Sequence, residues 1–151
     1  FFEKMGGHPE TNFVILSLPC FDLFSATNSI GKEPSVDLGT FCDSWLKAWT
    51  GNQPELLLSF YASEFFYSDP ARPGGITELD EFRTYLNRLL GKYPDWVWQR
   101  ELLVPTSNGF VFKWSVCLKS GKTFSGMDLV ELSQEKISRN EVYFDPSVLK
   151  E

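Results

Sequence analysis

Histidine is almost missing from this 151-residue chain: His8 is the only one. A Ser/His/Asp set or a histidine-built metal site therefore has nothing to draw on. The three cysteines, Cys20, Cys42 and Cys117, are odd in number and far apart, with no CxxC pair. They read as buried free thiols of a reducing compartment, which places the chain in the cytoplasm rather than outside the cell. No glycine-rich phosphate loop appears, so the expectation is no metal and no cofactor. Positive charge is scarce as well: 14 Lys and Arg stand against 20 Asp and Glu, a net charge of −6. The basic stripe that nucleic acid demands is absent, and no cluster of four or more cations would hold an anionic membrane. Long apolar runs are also lacking. The nearest, "NFVILSLPCFDLFSA", is interrupted by Pro19 and has nothing basic directly before it. It is too short to span a bilayer and a poor secretion signal. Pro19 directly before Cys20 argues against a lipoprotein cleavage site. The stretch reads as an ordered arm or extra strand packing on the domain, or else as a remnant signal.

Aromatic rings are what the chain has in excess: fourteen Phe, five Tyr and five Trp. Such rings fill a thick core, line an apolar cavity or make an interface. The length suits one domain that buries roughly 70% of its unfolded surface, so a core forms without a metal or disulfide. Residues 1–12 read as a disordered start and "SATNSIGKEPSV" (25–36) as a linker. Residues 1–36 are thus an extension, and 37–151 the domain.

In "DLGTFCDSWLKAWTGN", Leu38, Phe41, Cys42, Trp45 and Trp49 fall on one helical face, and Gly51 and Asn52 stop it. "QPELLLSFY" opens a short second helix with Pro54 in its first turn and Leu57, Phe60 and Tyr61 as its buried side. The period changes in "EFFYSD", a short strand, and "PARPGG" reads as a loop. A third helix follows: Thr77 is the expected N-cap, Glu78, Asp80 and Glu81 suit its first turn, and Gly91 its end. Leu79, Phe82, Leu86 and Leu89 form its apolar face. Four runs of strand length come next, "DWVWQRELLV", "GFVFKWSVCL", "KTFSGMDLVEL" and "KISRNEVYF", separated by turn-forming residues. Helices before antiparallel strands indicate an α+β fold with three helices packed on one face of a curved sheet.

Four stretches carry a resemblance: "FYASEFFYSDP" after two helices, "GGITELDEF" opening the third, the strand "SGMDLVEL", and the closing "KISRNEVYFDPSVL". From about Asp37 to Lys150 the chain resembles the nuclear-transport-factor-like (cystatin-like) superfamily, and within it the SnoaL-like polyketide cyclases and ketosteroid isomerases. The resemblance implies a cone-shaped sheet, antiparallel or mixed, wrapped around the helices and holding an apolar cavity open at one end. It also implies isomerases, cyclases, epoxide hydrolases, dehydratases and non-catalytic binders on the one fold.

Asp69 stands where the isomerases keep a proton-shuttling aspartate, and burial beside rings raises a carboxyl pKa toward the range of a useful base. The alternative is a turn residue capping the loop before Pro70. Asp128 stands where the isomerases hold a protonated acid against the oxyanion. Period-two reading puts it on the apolar face of Val130 and Leu132, where it needs a role or a partner on a neighbouring element. Trp45 replaces the tyrosine that the isomerases use as main oxyanion donor; that change argues against steroid isomerase activity. Asn140 stands where SnoaL-like cyclases often carry a histidine, and can orient a carbonyl. Trp49, Tyr67, Trp98, Trp114 and Phe144 are further candidate cavity residues, and Arg72 a gate or partner of Asp69. Three functions follow. One is a cofactor-independent isomerase, cyclase or dehydratase acting on a small apolar carbonyl compound. The second is a binder of a small apolar ligand. The third is an interaction module, a homodimer through the outer sheet face, where Glu101, Lys113, Ser115 and Arg139 give mixed polarity.

Overall fold

Asp37 caps the first helix by the chemistry its position suggests: its carboxylate accepts a 2.6 Å hydrogen bond from the Thr40 amide. This computed structural model describes residues 36–149. The expected start 1–12, the arm 13–24 and, apart from Val36, the linker 25–36 lie outside the described residues. The chain divides into units Phe1–Glu33 and Pro34–Glu151, and the described residues belong to the second.

Helix α1, Leu38–Thr50, buries Cys42, Trp45, Leu46, Ala48 and Trp49 and ends at Gly51, with Asn52 in the left-handed region. Helix α2 spans Pro54–Ser59. Strand β1, Tyr61–Asp69, starts three residues before the expected run, so Tyr61 belongs to the strand and not to the helix. Strand β2, Arg72–Ile76, occupies what reads as a loop. Its Pro73 is tolerated because β2 is the edge of the sheet, where a missing N–H costs no ladder bond. Gly75 sits at φ +80, with the Phe66 ring where a Cβ would be. Helix α3, Leu79–Lys92, is preceded by Glu78, which makes no side-chain capping bond, and runs past Gly91. Its buried face is Phe82, Tyr85, Leu86 and Leu90, while Leu79 is exposed.

Strands β3 (Val97–Pro105), β4 (Gly109–Cys117), β5 (Thr123–Ser133) and β6 (Lys136–Phe144) follow, then a 3₁₀ turn, Pro146–Leu149. The sheet order is β2-β1-β6-β5-β4-β3, with β1 parallel to β6 and every other pair antiparallel. Register shifts in β1, in β3 near Arg100–Leu102 and between Glu131 and Leu132 bend the sheet. Alternation on β4 sends Phe110, Phe112, Trp114 and Val116 inward against the helices. Each such ring contributes about 1.5–3 kcal/mol by leaving water, and edge-to-face pairs such as Trp98–Trp114, centroids 4.6 Å apart, add to that.

Cys42 is fully buried, and burial pushes its thiol up to about 12. Cys117 departs from the expectation of buried thiols: it is exposed, because it faces outward at the end of β4. Cys20 lies outside the described residues. No helix among the described residues is long and apolar enough to cross a membrane.

Gly126 on β5 exists for Trp114. A Cβ there would overlap the indole and lie 2.7 Å from the Tyr143 carbonyl oxygen. Gly126→Ala is expected to cost about 1–3 kcal/mol as overpacking, read as a lower urea midpoint.

Candidate functional site

Between the inner sheet face and helices α1 and α3 lies a hollow of about 80 Å³. That is room for several waters or a compound of few carbons. α1 supplies Trp45 and Trp49, β1 Tyr67 and Asp69, β3 Trp98, β4 Trp114, β5 Asp128 and β6 Phe144. Of the candidate residues, Arg72 and Asn140 do not line it; the Asn140 amide is buried on β6 and donates to the Tyr61 hydroxyl at 3.2 Å.

Asp69 is the last residue of β1, where the chain turns into β2, and it is buried. One oxygen accepts from the Ala71 and Arg72 amides, at 2.8 and 2.9 Å, and so closes the turn. The other accepts from the Tyr67 hydroxyl, at 2.9 Å, and from the Tyr85 hydroxyl. Burial and the neighbouring carboxylate push both phenols well above their ordinary value, so they stay protonated and donate. Four donors fill the four lone-pair positions that a carboxylate offers. No position is left to take a proton from a ligand unless a tyrosine swings away. Arg72 lies over the Tyr85 ring, 5.6 Å from its centroid, and 3.8 Å from Glu81.

Tyr85 was not among the residues that the sequence suggested for the site. Its signal was available: it sits one turn after Phe82 on a helix face that is otherwise apolar, and a buried hydroxyl needs a partner. Trp96, Phe112 and Phe124 also line the hollow. Trp96 is held by its N–H to the Trp49 carbonyl at 3.3 Å.

Asp128 is the other carboxyl. Period-two alternation turns it inward from β5 between Phe124 and Val130. Burial raises its pKa from 3.8 to about 7; the Trp114 and Asn140 side chains pull it down, and the Asp69 charge pushes it up. The Trp114 indole N–H donates to it at 2.7 Å. Unlike Asp69, it has no hydroxyl donors and no backbone donors among the recorded bonds. Three buried polar atoms have no partner among the described residues: the indole nitrogens of Trp45 and Trp98, and the Asn140 amide oxygen. Two orphaned N–H donors therefore belong to residues that line the same hollow as a carboxyl poised near neutrality. Among the described residues, no group of His, Cys, Asp and Glu is arranged to hold a metal.

Residues 43–140 match the family model of the SnoaL-like domain. No curated protein matches the chain significantly. Solved structures do. A candidate SnoaL-like polyketide cyclase from Shewanella putrefaciens is 12% identical with a TM-score of 0.64, over 77% of this chain and 84% of that one. A nuclear-transport-factor-like protein of unknown function from Cytophaga hutchinsonii is 16% identical with a TM-score of 0.61, over 80% and 100%. A candidate ketosteroid isomerase from Kribbella flavida is 16% identical with a TM-score of 0.58, over 70% and 76%. At such identities the likeness is one of fold: an α+β architecture with a curved, open mixed sheet, of the nuclear-transport-factor-like and cystatin-like kind.

Proposed function

Because the chain belongs to the SnoaL-like domain family, we propose that its hollow binds a small apolar carbonyl compound and that a carboxyl there exchanges a proton with it, without a cofactor. The observation that carries this is Asp128: a buried carboxyl pushed up to about 7, in a hollow also lined by Trp45 and Trp98, whose indole N–H groups lack a partner. A base near the working pH is the efficient one. In the step, Asp128 takes a proton from the carbon next to the carbonyl. The C–H electrons form the enolate double bond, and the Trp45 or Trp98 N–H donates to the oxygen that gains charge. Return of the proton to carbon completes the exchange. Asp69, whose oxygens are filled, serves here as the anchor of Tyr67 and Tyr85 rather than as the base that the resemblance suggests.

The test uses cyclohexanone in D₂O, followed by proton NMR. The protein is expected to speed loss of the α-proton signal, with a rate that rises with pH and levels off above an apparent pKa of about 7. Asp128→Asn is expected to remove at least ~100-fold of that, the scale of general-base catalysis. No acceleration, or one that survives in Asp128→Asn, rejects the reading.

A second reading concerns the outer sheet face as a homodimer surface. Leu102, Lys113, Met127 and Tyr143 form one row across four strands, and Leu102, Met127 and Tyr143 are exposed. Lys113 is paired with Glu101 at 2.6 Å, which leaves the row apolar with one neutralised charge. Native mass spectrometry of freshly purified protein reads both a co-purified ligand and the mass of a dimer; a bare monomer at micromolar concentration excludes this second reading.

A further inference from the structure

The charge of this chain is unevenly placed. Beside the hollow is a groove of about 520 Å³ that shares Ala71, Tyr85, Leu89, Phe144 and Leu149 with it, so the two spaces adjoin. In a protein of net charge −6, that groove is lined by Arg72, Arg88 and Lys92 and, among the described residues, by no acidic side chain. α3 puts Arg88 and Lys92 four residues apart on one face, and the turn capped by Asp69 delivers Arg72 opposite them. Besides lying over the Tyr85 ring, Arg72 has one long ion-pair contact, to Glu81, between side chains that are 41% and 49% exposed, which costs little to give up. Arg88 makes no recorded hydrogen bond or ion pair among the described residues. The inner space has the reverse character: rings and two buried carboxyls, Asp69 and Asp128.

Resting on the pocket reading above, we propose that the ligand is a small amphipathic organic acid: its apolar end enters the hollow, and its carboxylate stays outside on Arg72 and Arg88. The charges set this orientation. An anion pushed inward would meet two carboxyls in a space with little water, whereas at the mouth it meets two guanidinium groups suited to planar oxyanions. The size of the hollow agrees, since a ligand larger than a few carbons must extend into the groove.

All five tryptophans line the hollow, so intrinsic fluorescence reports occupancy. Octanoate and 1-octanol, equal in chain length, are titrated at low ionic strength into the wild type and into the double variant Arg72→Gln, Arg88→Gln. Octanoate is expected to bind about fivefold or more tightly than octanol, the effect that two partly exposed charge pairs supply. The preference should shrink in 0.5 M salt, as screening requires, and the double variant should bind the two probes alike. Equal binding of both probes by the wild type overturns this proposal and leaves the pocket reading standing. A preference that persists in the double variant also overturns it. Binding of neither probe removes the pocket reading, and this proposal with it.

Discussion

Asp128→Asn is expected to be more stable than the wild type at pH 8, by about 2–4 kcal/mol, and the gap should close by pH 4. The sign follows from the direction of the shift. Asp128 has a folded-state pKa of about 7 against an ordinary 3.8. Below 3.8 the carboxyl is protonated in both the folded and unfolded chain, and its burial carries no charge penalty. Between 3.8 and 7 the unfolded chain releases the proton and the folded chain keeps it, so stability falls as pH rises. Above 7 both forms are ionised and the native state carries the whole penalty. Some three units at about 1.4 kcal/mol each set a ceiling near 4 kcal/mol. Asn carries no charge and can still accept from the Trp114 indole. Its carbonyl oxygen can stand where the Asp128 Oδ1 accepts that N–H. Urea unfolding of both proteins at pH 4, 6 and 8 measures the gap, expected as a midpoint shift of about 1–2 M at pH 8. The comparison cancels other acids, such as Asp43 and Glu141, whose pKa values are lowered and which act in both proteins. A wild type as stable as the variant at pH 8 would show that Asp128 is not held near neutrality. The same substitution is expected to abolish proton exchange, which sets function against stability at one residue.

Much of this arrangement was legible in the sequence because it follows from local periods. The α1 face of Cys42, Trp45 and Trp49 and the alternation that turns Trp114 and Asp128 inward are consequences of 3.6- and 2-residue repeats, and tertiary packing agrees with both. Strand β2 was not legible: Pro73, Gly74 and Gly75 are turn residues by composition, and only its place at the sheet edge makes a strand of them. On α3, the apolar pattern suggested Leu79 and Leu89; packing instead buries Tyr85 and Leu90, because the helix rolls its hydroxyl toward Asp69. Both carboxyls of the site were visible as acids in apolar surroundings. What separates them is not local. Asp69 gains two donors from its own turn, one from Tyr67 on its own strand and one from α3, sixteen residues away, whereas Asp128 gains its indole from the neighbouring strand. No reading of spacing within one element can count the donors that arrive from other elements, and their number separates a carboxylate with four partners from one with a single indole partner.

Removing the anchor should cost more than removing the titrating group. In Asp69→Ala, the Tyr67 and Tyr85 hydroxyls are left without their acceptor in a buried site, and the Ala71 and Arg72 amides lose the oxygen that closes the β1–β2 turn. Each buried donor without a partner costs about 1–3 kcal/mol. The turn amides are partly exposed and can recover water, so the expected loss is about 3–5 kcal/mol. Asp69→Asn keeps one oxygen for the turn but offers an N–H to two hydroxyls. Both tyrosines must turn their protons away from that nitrogen, and a loss of about 1–2 kcal/mol is expected. Urea midpoints of the two variants, with Tyr67→Phe and Tyr85→Phe as partners in a double-mutant cycle, measure this coupling. Asp69→Asn is also the variant that separates the two roles a carboxylate could have here. As an anchor, it loses stability and retains most of the α-proton exchange, because Asp128 is untouched. As the base, it would keep its urea midpoint near that of the wild type and lose the exchange. The second outcome would return the proton transfer to Asp69 and would mean that a tyrosine moves aside when ligand enters; four filled lone pairs make the first outcome the expected one.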